Sequence, residues 1–272
     1  MDILTNFLYQ TVFTVGVIVV FGLLLALCRR LFCMVAGACG TGFLLATGIV
    51  GTPIHELSHA LMCAVFGHRI VEMKLYTPGS RDGTLGYVNH SYNPKNPYQQ
   101  IGNFFIGIAP ILGGSAVLLL LMRWLVPDVF SAVTADLSAV NSLSLDFADG
   151  VTYTGYVSLF RKVTMDIFDL SQAGNILWWV FLLLALSVAG HMELSGADVK
   201  GGVGGFFLLS LLLLLADTVL YFVSRPTLSV VTEAMTSFAL PTIGFLAVAG
   251  IFSVAMLLLA AVLRLVLGIL LR

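Results

Sequence analysis

The chain has 272 residues, of which 59% are hydrophobic and only 10% charged, and its formal net charge is −1. A soluble domain carries roughly 45–50% apolar and about 25% charged residues, so lipid is the expected solvent for much of this chain. The near-neutral balance excludes a nucleic-acid partner recruited by a basic field.

A membrane-spanning helix needs about 20 mostly apolar residues. The first such run covers residues 8–28 and ends at Arg29-Arg30. It follows Asp2 rather than a basic residue and exceeds the apolar core of a cleavable signal, so it is expected to be a retained span. The second run, 31–66, is too long for one straight span. Gly48, Gly51 and Pro53 are expected to kink or divide it. The polar stretch 68–100 follows. Ile70, Glu72, Lys74 and Tyr76 alternate there with Val71, Met73 and Leu75, and the turn-forming run Pro78-Gly79-Ser80-Arg81-Asp82-Gly83 leads to a return strand over 84–89. Period two around such a turn predicts a β-hairpin.

The third span is expected over 104–126, before Pro127. Residues 128–175 form an acidic stretch with Asp128, Asp136, Asp146, Asp149, Asp166 and Asp169 against Arg161 and Lys162, read as an exposed loop with short helical pieces. The fourth span is placed at 176–190, where Trp178 and Trp179 suit an interfacial anchor. The run Gly201-Gly202-Val203-Gly204-Gly205 has no Lys-Ser/Thr after it, so it is no phosphate loop. Flexibility or close helix packing is the better reading. The fifth span, 206–223, contains Asp217, read as an interhelical hydrogen-bonding group. The sixth covers 242–271.

The fold class expected is therefore an all-α polytopic membrane protein of about six transmembrane helices, with a small β-hairpin after the second. It divides into an N-terminal helix (1–30), a core (31–223) holding the hairpin and the acidic loop, and a C-terminal loop and helix (224–272). Arg69, Lys74, Arg81 and Lys95 favour the cytoplasmic side for the hairpin, with Lys200 and Arg272 on the same side. Arg29, Arg30, Arg123 and Arg225 fall opposite and depart from that rule. The expected location is a bacterial cytoplasmic membrane, with the active site toward the cytoplasm. Cys28, Cys33, Cys39 and Cys63 form no Cys-x-x-Cys pair and read as small apolar packing residues.

The chemistry is concentrated in His55-Glu56-Leu57-Ser58-His59. Residues four apart share a helix face, so His55 and His59 can present their rings to one metal, and Glu56 can reach a metal-bound water. With five His in the chain, a chance match to this pattern is expected roughly once in 700 such chains. The setting adds weight, because ionisable groups inside an apolar run are costly and mark function. The bland alternative is a pair of hydrogen-bonded packing histidines. A catalytic zinc site has three protein ligands and one open position. The residues themselves leave the third open among His191, Glu193 and Asp198. Asn103, at the start of the third span, is either an oxyanion hydrogen-bond donor or a helix cap. His68 and His90 read as surface histidines.

An apolar His-Glu-x-x-His, a polar hairpin after it, and an Asp beside a later span together resemble the site-2 protease family of intramembrane zinc metalloproteases. The stretch Gly102-Asn103-Phe104-Phe105-Ile106-Gly107-Ile108-Ala109-Pro110 is similar to that family's next core helix. Ser195-Gly196-Ala197-Asp198-Val199-Lys200-Gly201 is similar to its third-ligand segment, though it lacks the prolines and the Gly directly after the Asp. The resemblance covers residues 48–222. It implies Zn2+ held by His55, His59 and Asp198, Glu56 as general base, and a membrane-spanning protein substrate within the lipid bilayer. No PDZ-like or CBS-like domain fits the remaining length, so regulation is left to a membrane partner or the acidic loop. Two rivals stand beside this reading. One is a membrane zincin whose third ligand is Glu72, Glu193 or Glu233. The other is a non-catalytic zinc-binding scaffold or transport component.

Overall fold

A computed structural model describes residues 2–80, 83–139, 150–237 and 239–270. Asp2 opens the first helix, α1 (Ile3–Thr11), where its Oδ1 accepts from the Thr5 N–H at 2.7 Å. One π turn (Val12–Gly16) leads into α2 (Val17–Val65). A hairpin follows, with β1 (Arg69–Lys74) and β2 (Tyr87–Ser91). Then come α3 (Pro97–Leu125), α4 (Pro127–Ala139), α5 (Gly150–Ile167) and a 3-10 turn (Leu170–Gly174). The chain continues through α6 (Ile176–Ala189), α7 (Gly196–Val223), α8 (Arg225–Ser237) and α9 (Ala239–Leu270).

Four helical stretches are long and apolar enough to cross a membrane: Ile3–Gly37, Pro97–Leu125, Gly196–Val223 and Arg225–Val266. Their outward faces are apolar, as lipid requires; on α7, Phe207, Val219 and Phe222 are exposed. The count of about six is not reached among the described residues. The expected fourth span is the short Ile176–Ala189, and the expected second, the part of α2 beyond Gly37, is not among the four.

That long helix does not divide at Gly48, Gly51 or Pro53. It breaks at Gly37, whose φ of 54° and ψ of −134° suit a residue without Cβ. Arg264 from α9 serves the carbonyls orphaned there, donating to Val35 O at 3.1 Å and Met34 O at 3.4 Å. The glycines before the motif mediate close packing instead. Gly48 meets Tyr76 and Leu85, and Gly51 meets Ser187 and His191.

The acidic stretch is not an open loop where it is described. Val129, Val133 and Leu137 on α4, and Val163 and Ile167 on α5, are buried in the same core as Leu118, Trp178, Phe181 and Phe252. Asp128 and Asp169 are exposed, Asp166 is half-buried, and Asp136 is buried and paired to Lys162. Asp146 and Asp149 lie outside the described residues. Trp178 is no interfacial anchor: it is buried and donates to Ile167 O at 3.0 Å, whereas Trp179 is exposed. Of the cysteines, Cys63 is buried while Cys33 and Cys39 are exposed.

The hairpin is antiparallel, with a register shift between Ile70 and Glu72. The strands are shorter than expected on the inner side, since residues 84–86 carry no ladder, and Arg81 and Asp82 at the tip lie outside the described residues.

Candidate metal centre

Three elements converge on one point. The second half of α2 carries His55, Glu56 and His59; α3 packs against it, and the first turn of α7, packed on α3, brings Asp198 to His59. His59 Nε2 lies 3.1 Å from His55 Nε2 and 3.3 Å from Asp198 Oδ1. The ligand atoms of all three residues lie within 4.8 Å of one another. His59 and Glu56 are buried, at 7% and 5% exposure.

The outer nitrogens of the two imidazoles decide what the inner ones can do. His55 Nδ1 lies 2.6 Å from the His191 carbonyl, and His59 Nδ1 lies 2.7 Å from the Ile106 carbonyl. A carbonyl only accepts, so each Nδ1 carries a proton, and the neutral form of each ring offers its bare lone pair inward at Nε2. Two lone pairs and a carboxylate oxygen at these distances repel one another unless a cation sits among them. Tetrahedral zinc, with bonds of about 2.0–2.2 Å, sets neighbouring ligand atoms about 3.3 Å apart. The two spacings to His59 Nε2 and the His-His-Asp donor set both fit that ion.

Each support has a local cause. Pro110 has no N–H, so the Ile106 carbonyl four residues earlier loses its helical partner and is free to accept from His59. The His191 carbonyl is available because α6 ends at Ala189 and the chain turns there. Asp198 divides its two oxygens between two tasks. Oδ2 accepts from Ser195 N at 2.9 Å within a capping box that starts α7, while Oδ1 faces His59. The helix-cap and ligand roles are therefore compatible.

Glycines let α7 come close enough. A Cβ at Gly107 would lie 2.8 Å from the Asp198 carbonyl, and one at Gly205 would lie 2.9 Å from Phe104 N. Within the glycine run, Gly202 and Gly205 face α3 while Gly201 and Gly204 meet nothing within 4 Å. Close packing is thus the role of two of its members.

The other candidates fall elsewhere. The His191 ring is buried and its Nδ1 donates to Ser187 O at 2.9 Å, so this residue contributes its carbonyl to the site rather than its side chain. Glu193 pairs with Arg29 at 2.8 Å. Glu72 accepts from the Tyr87 hydroxyl at 2.5 Å, and Glu233 lines a separate cavity beside Asn6 and Arg225. Asn96, not Asn103, caps α3; Asn103 sits half-buried one turn before Ile106, with its carbonyl against Gly202. His68 is not a surface histidine: it is 6% exposed, with Nδ1 3.0 Å from His90 Nδ1 and Nε2 donating to Gln99 O at 2.8 Å. Asp217 is buried and accepts from Gln10 Nε2 at 3.2 Å, an interhelical bond as expected.

The hairpin reaches over the Glu56 side of the site. A Cβ at Gly86 would lie 2.8 Å from Glu56 Cγ and 2.9 Å from the Lys74 carbonyl. Thr77 N donates to Leu85 O at 2.6 Å and holds this segment in place. No family model, no curated protein and no solved structure matches this chain.

Proposed function

We propose that this protein is a zinc-dependent intramembrane endopeptidase of the site-2 protease kind, cleaving a membrane-spanning protein with an activated water. The observation that supports it most strongly is the inward set of His55 Nε2, His59 Nε2 and Asp198 Oδ1 beside buried Glu56, on helices otherwise built for lipid. When bound, zinc supplies Lewis acidity toward a carbonyl oxygen and a water that ionises near neutral pH. The chain's own residues do the rest. His55 and His59 hold their metal-facing tautomers through the His191 and Ile106 carbonyls. The Glu56 carboxylate takes the proton of the attacking water and returns it to the departing amide nitrogen. Asn103 is placed in this reading as support for the carbonyl oxygen that gains charge.

A membrane-spanning substrate is a helix, and its backbone must unwind before a peptide bond can be attacked. The two-stranded sheet, with Gly86 against Glu56, offers a strand edge on which an unwound segment can form main-chain hydrogen bonds. Proline at Val71, Met73, Leu85 or Val88 tests that edge: cleavage should fall in at least one variant that still folds.

The test of the enzyme reading is Glu56→Gln, assayed for zinc content and for cleavage of a panel of tagged single-span proteins in detergent. The variant should keep its zinc and lose cleavage by at least about 10²-fold, the usual scale for a general base. Undiminished cleavage would end the proposal. Zinc binding without cleavage by the wild type would favour the scaffold reading.

A further inference from the structure

Arg29 lies inside the first apolar stretch, Ile3–Gly37, where a guanidinium is costly and its partner points to its use. Its Nη1 is 2.8 Å from Glu193 Oε1 and 3.4 Å from the Gly190 carbonyl. These two contacts bracket His191, whose carbonyl accepts from His55 Nδ1 at 2.6 Å. Beside Arg29, the His191 ring fixes this segment by donating from Nδ1 to Ser187 O at 2.9 Å, and Leu194 packs against Gly22. The segment's turn bonds are His191 N to Val188 O at 3.0 Å and Met192 N to Ala189 O at a long 3.4 Å, and Met192 anchors the opposite side in the core against Gly114. The neighbouring Arg30 is exposed.

We propose that Arg29 is a positioning residue of the metal centre: it clamps segment 190–193 through Glu193 and the Gly190 carbonyl, so that the His191 carbonyl holds His55 in its metal-facing tautomer. The inference rests on the metal-centre reading above. It assigns a role to an arginine that sequence reasoning used only as a topology marker. It also explains why Glu193, so near the site in sequence, is not a ligand: its carboxylate is committed to the guanidinium. The clamp joins the first helical stretch to the loop before α7. A shift of the part of α2 before Gly37 relative to the core therefore reaches His55 through the contacts of Arg29 with segment 190–193 and of the His191 carbonyl with His55.

The experiment is a zinc competition titration on the purified full-length chain, run beside thermal unfolding of the zinc-free protein. Removing a partner behind a metal ligand weakens metal binding by about 10–100-fold. Arg29→Gln should show that loss, and Arg30→Gln should bind as the wild type does. The exchanged pair Arg29→Glu with Glu193→Arg should recover part of the affinity, because the ion pair is restored with its charges reversed while the bond donated to the Gly190 carbonyl is not. If Arg29→Gln does not fold, Glu193→Gln removes the same ion pair without leaving a free anion and should show a loss of the same order. A purely structural role would lower the zinc-free unfolding temperature and leave zinc affinity unchanged. That result, or wild-type affinity in Arg29→Gln, overturns the inference while the metal centre stands. A wild type that takes up no zinc overturns the metal centre and the inference together.

Discussion

Gly51 is the position where one added carbon should do the most damage at the greatest distance from the chemistry. It lies on α2 one turn before His55, where α6 crosses. A Cβ built there would lie 2.5 Å from His191 Nδ1 and 2.8 Å from its Cγ, and closer still to the Ser187 carbonyl. Ordinary carbon contacts are about 3.5–4.0 Å, so Gly51→Ala forces the end of α6 back by about 1 Å. Overpacking of this kind costs about 1–3 kcal/mol. The second effect is the more informative one. The His191 carbonyl lies 2.6 Å from His55 Nδ1, and a retreat of about 1 Å takes that contact beyond hydrogen-bond range. Zinc affinity should then fall by about 10–100-fold, as for loss of other groups behind a metal ligand. Competition titration with a chromogenic chelator measures the affinity, and thermal unfolding of the zinc-free protein measures the packing. Gly201→Ala is the control, since nothing lies within 4 Å of a Cβ there. If Gly51→Ala binds zinc like the wild type and unfolds at the same temperature, α2 and α6 do not approach as described, and the support of His55 by His191 is wrong.

Gly86→Val should separate binding from turnover. Its side chain would press on Glu56 and Thr52 without touching the metal-facing atoms, so zinc content should stay whole while cleavage drops; unchanged cleavage would remove the hairpin from the account of the active site. His90 makes a pH prediction. Burial first, and then the neighbouring His68 and His59 imidazoles, which disfavour a further positive charge, hold it below its ordinary value of 6.5. The unfolded chain therefore takes up this proton first as pH falls. The stability His90 contributes is complete above 6.5 and is lost as pH drops through its lower folded value. Half-burial makes the effect modest, but the zinc-free unfolding temperature should fall less between about pH 7.5 and 5 in His90→Asn than in the wild type. Equal slopes would show that His90 is not held neutral by the fold.

The parts of the site that were legible in the sequence were the local ones. His55, Glu56 and His59 could be read because a spacing of four on a helix is itself a geometric statement. Asp198 needed a resemblance, since nothing in its spacing says that α7 comes back to α2. The supports were harder to read, because a carbonyl has no residue type to mark it. One signal was present: Pro110 frees the carbonyl of Ile106, and both residues stood in the stretch singled out for its family likeness. His191 drew attention for its imidazole, and the useful group was its backbone oxygen.

The fold divides in the same way. Apolar runs marked helices well, but not how many of them are separate spans. Gly37 carries the break in α2, and it was hidden in an unremarkable glycine-containing run. Gly48 and Gly51 looked like hinges and are contact points for other helices. In the acidic stretch the carboxylates dominated the reading. Yet Val129, Val133 and Leu137 recur every four residues, and Val163 and Ile167 repeat the spacing, which is the signature of a buried helical stripe. Trp178 and Trp179 are adjacent on a helix and so face different ways, one into the core and one outward.

The central claim is a three-ligand metal centre, and its most direct test is zinc per protein in the wild type and in Asp198→Asn. Asparagine keeps an oxygen for the Ser195 cap, so α7 retains its start while the charged ligand is lost. The account predicts about one zinc in the wild type, as three-ligand sites hold, and a small fraction of that in the variant. Full zinc in Asp198→Asn, or a wild type that neither carries zinc nor takes it up, would contradict it.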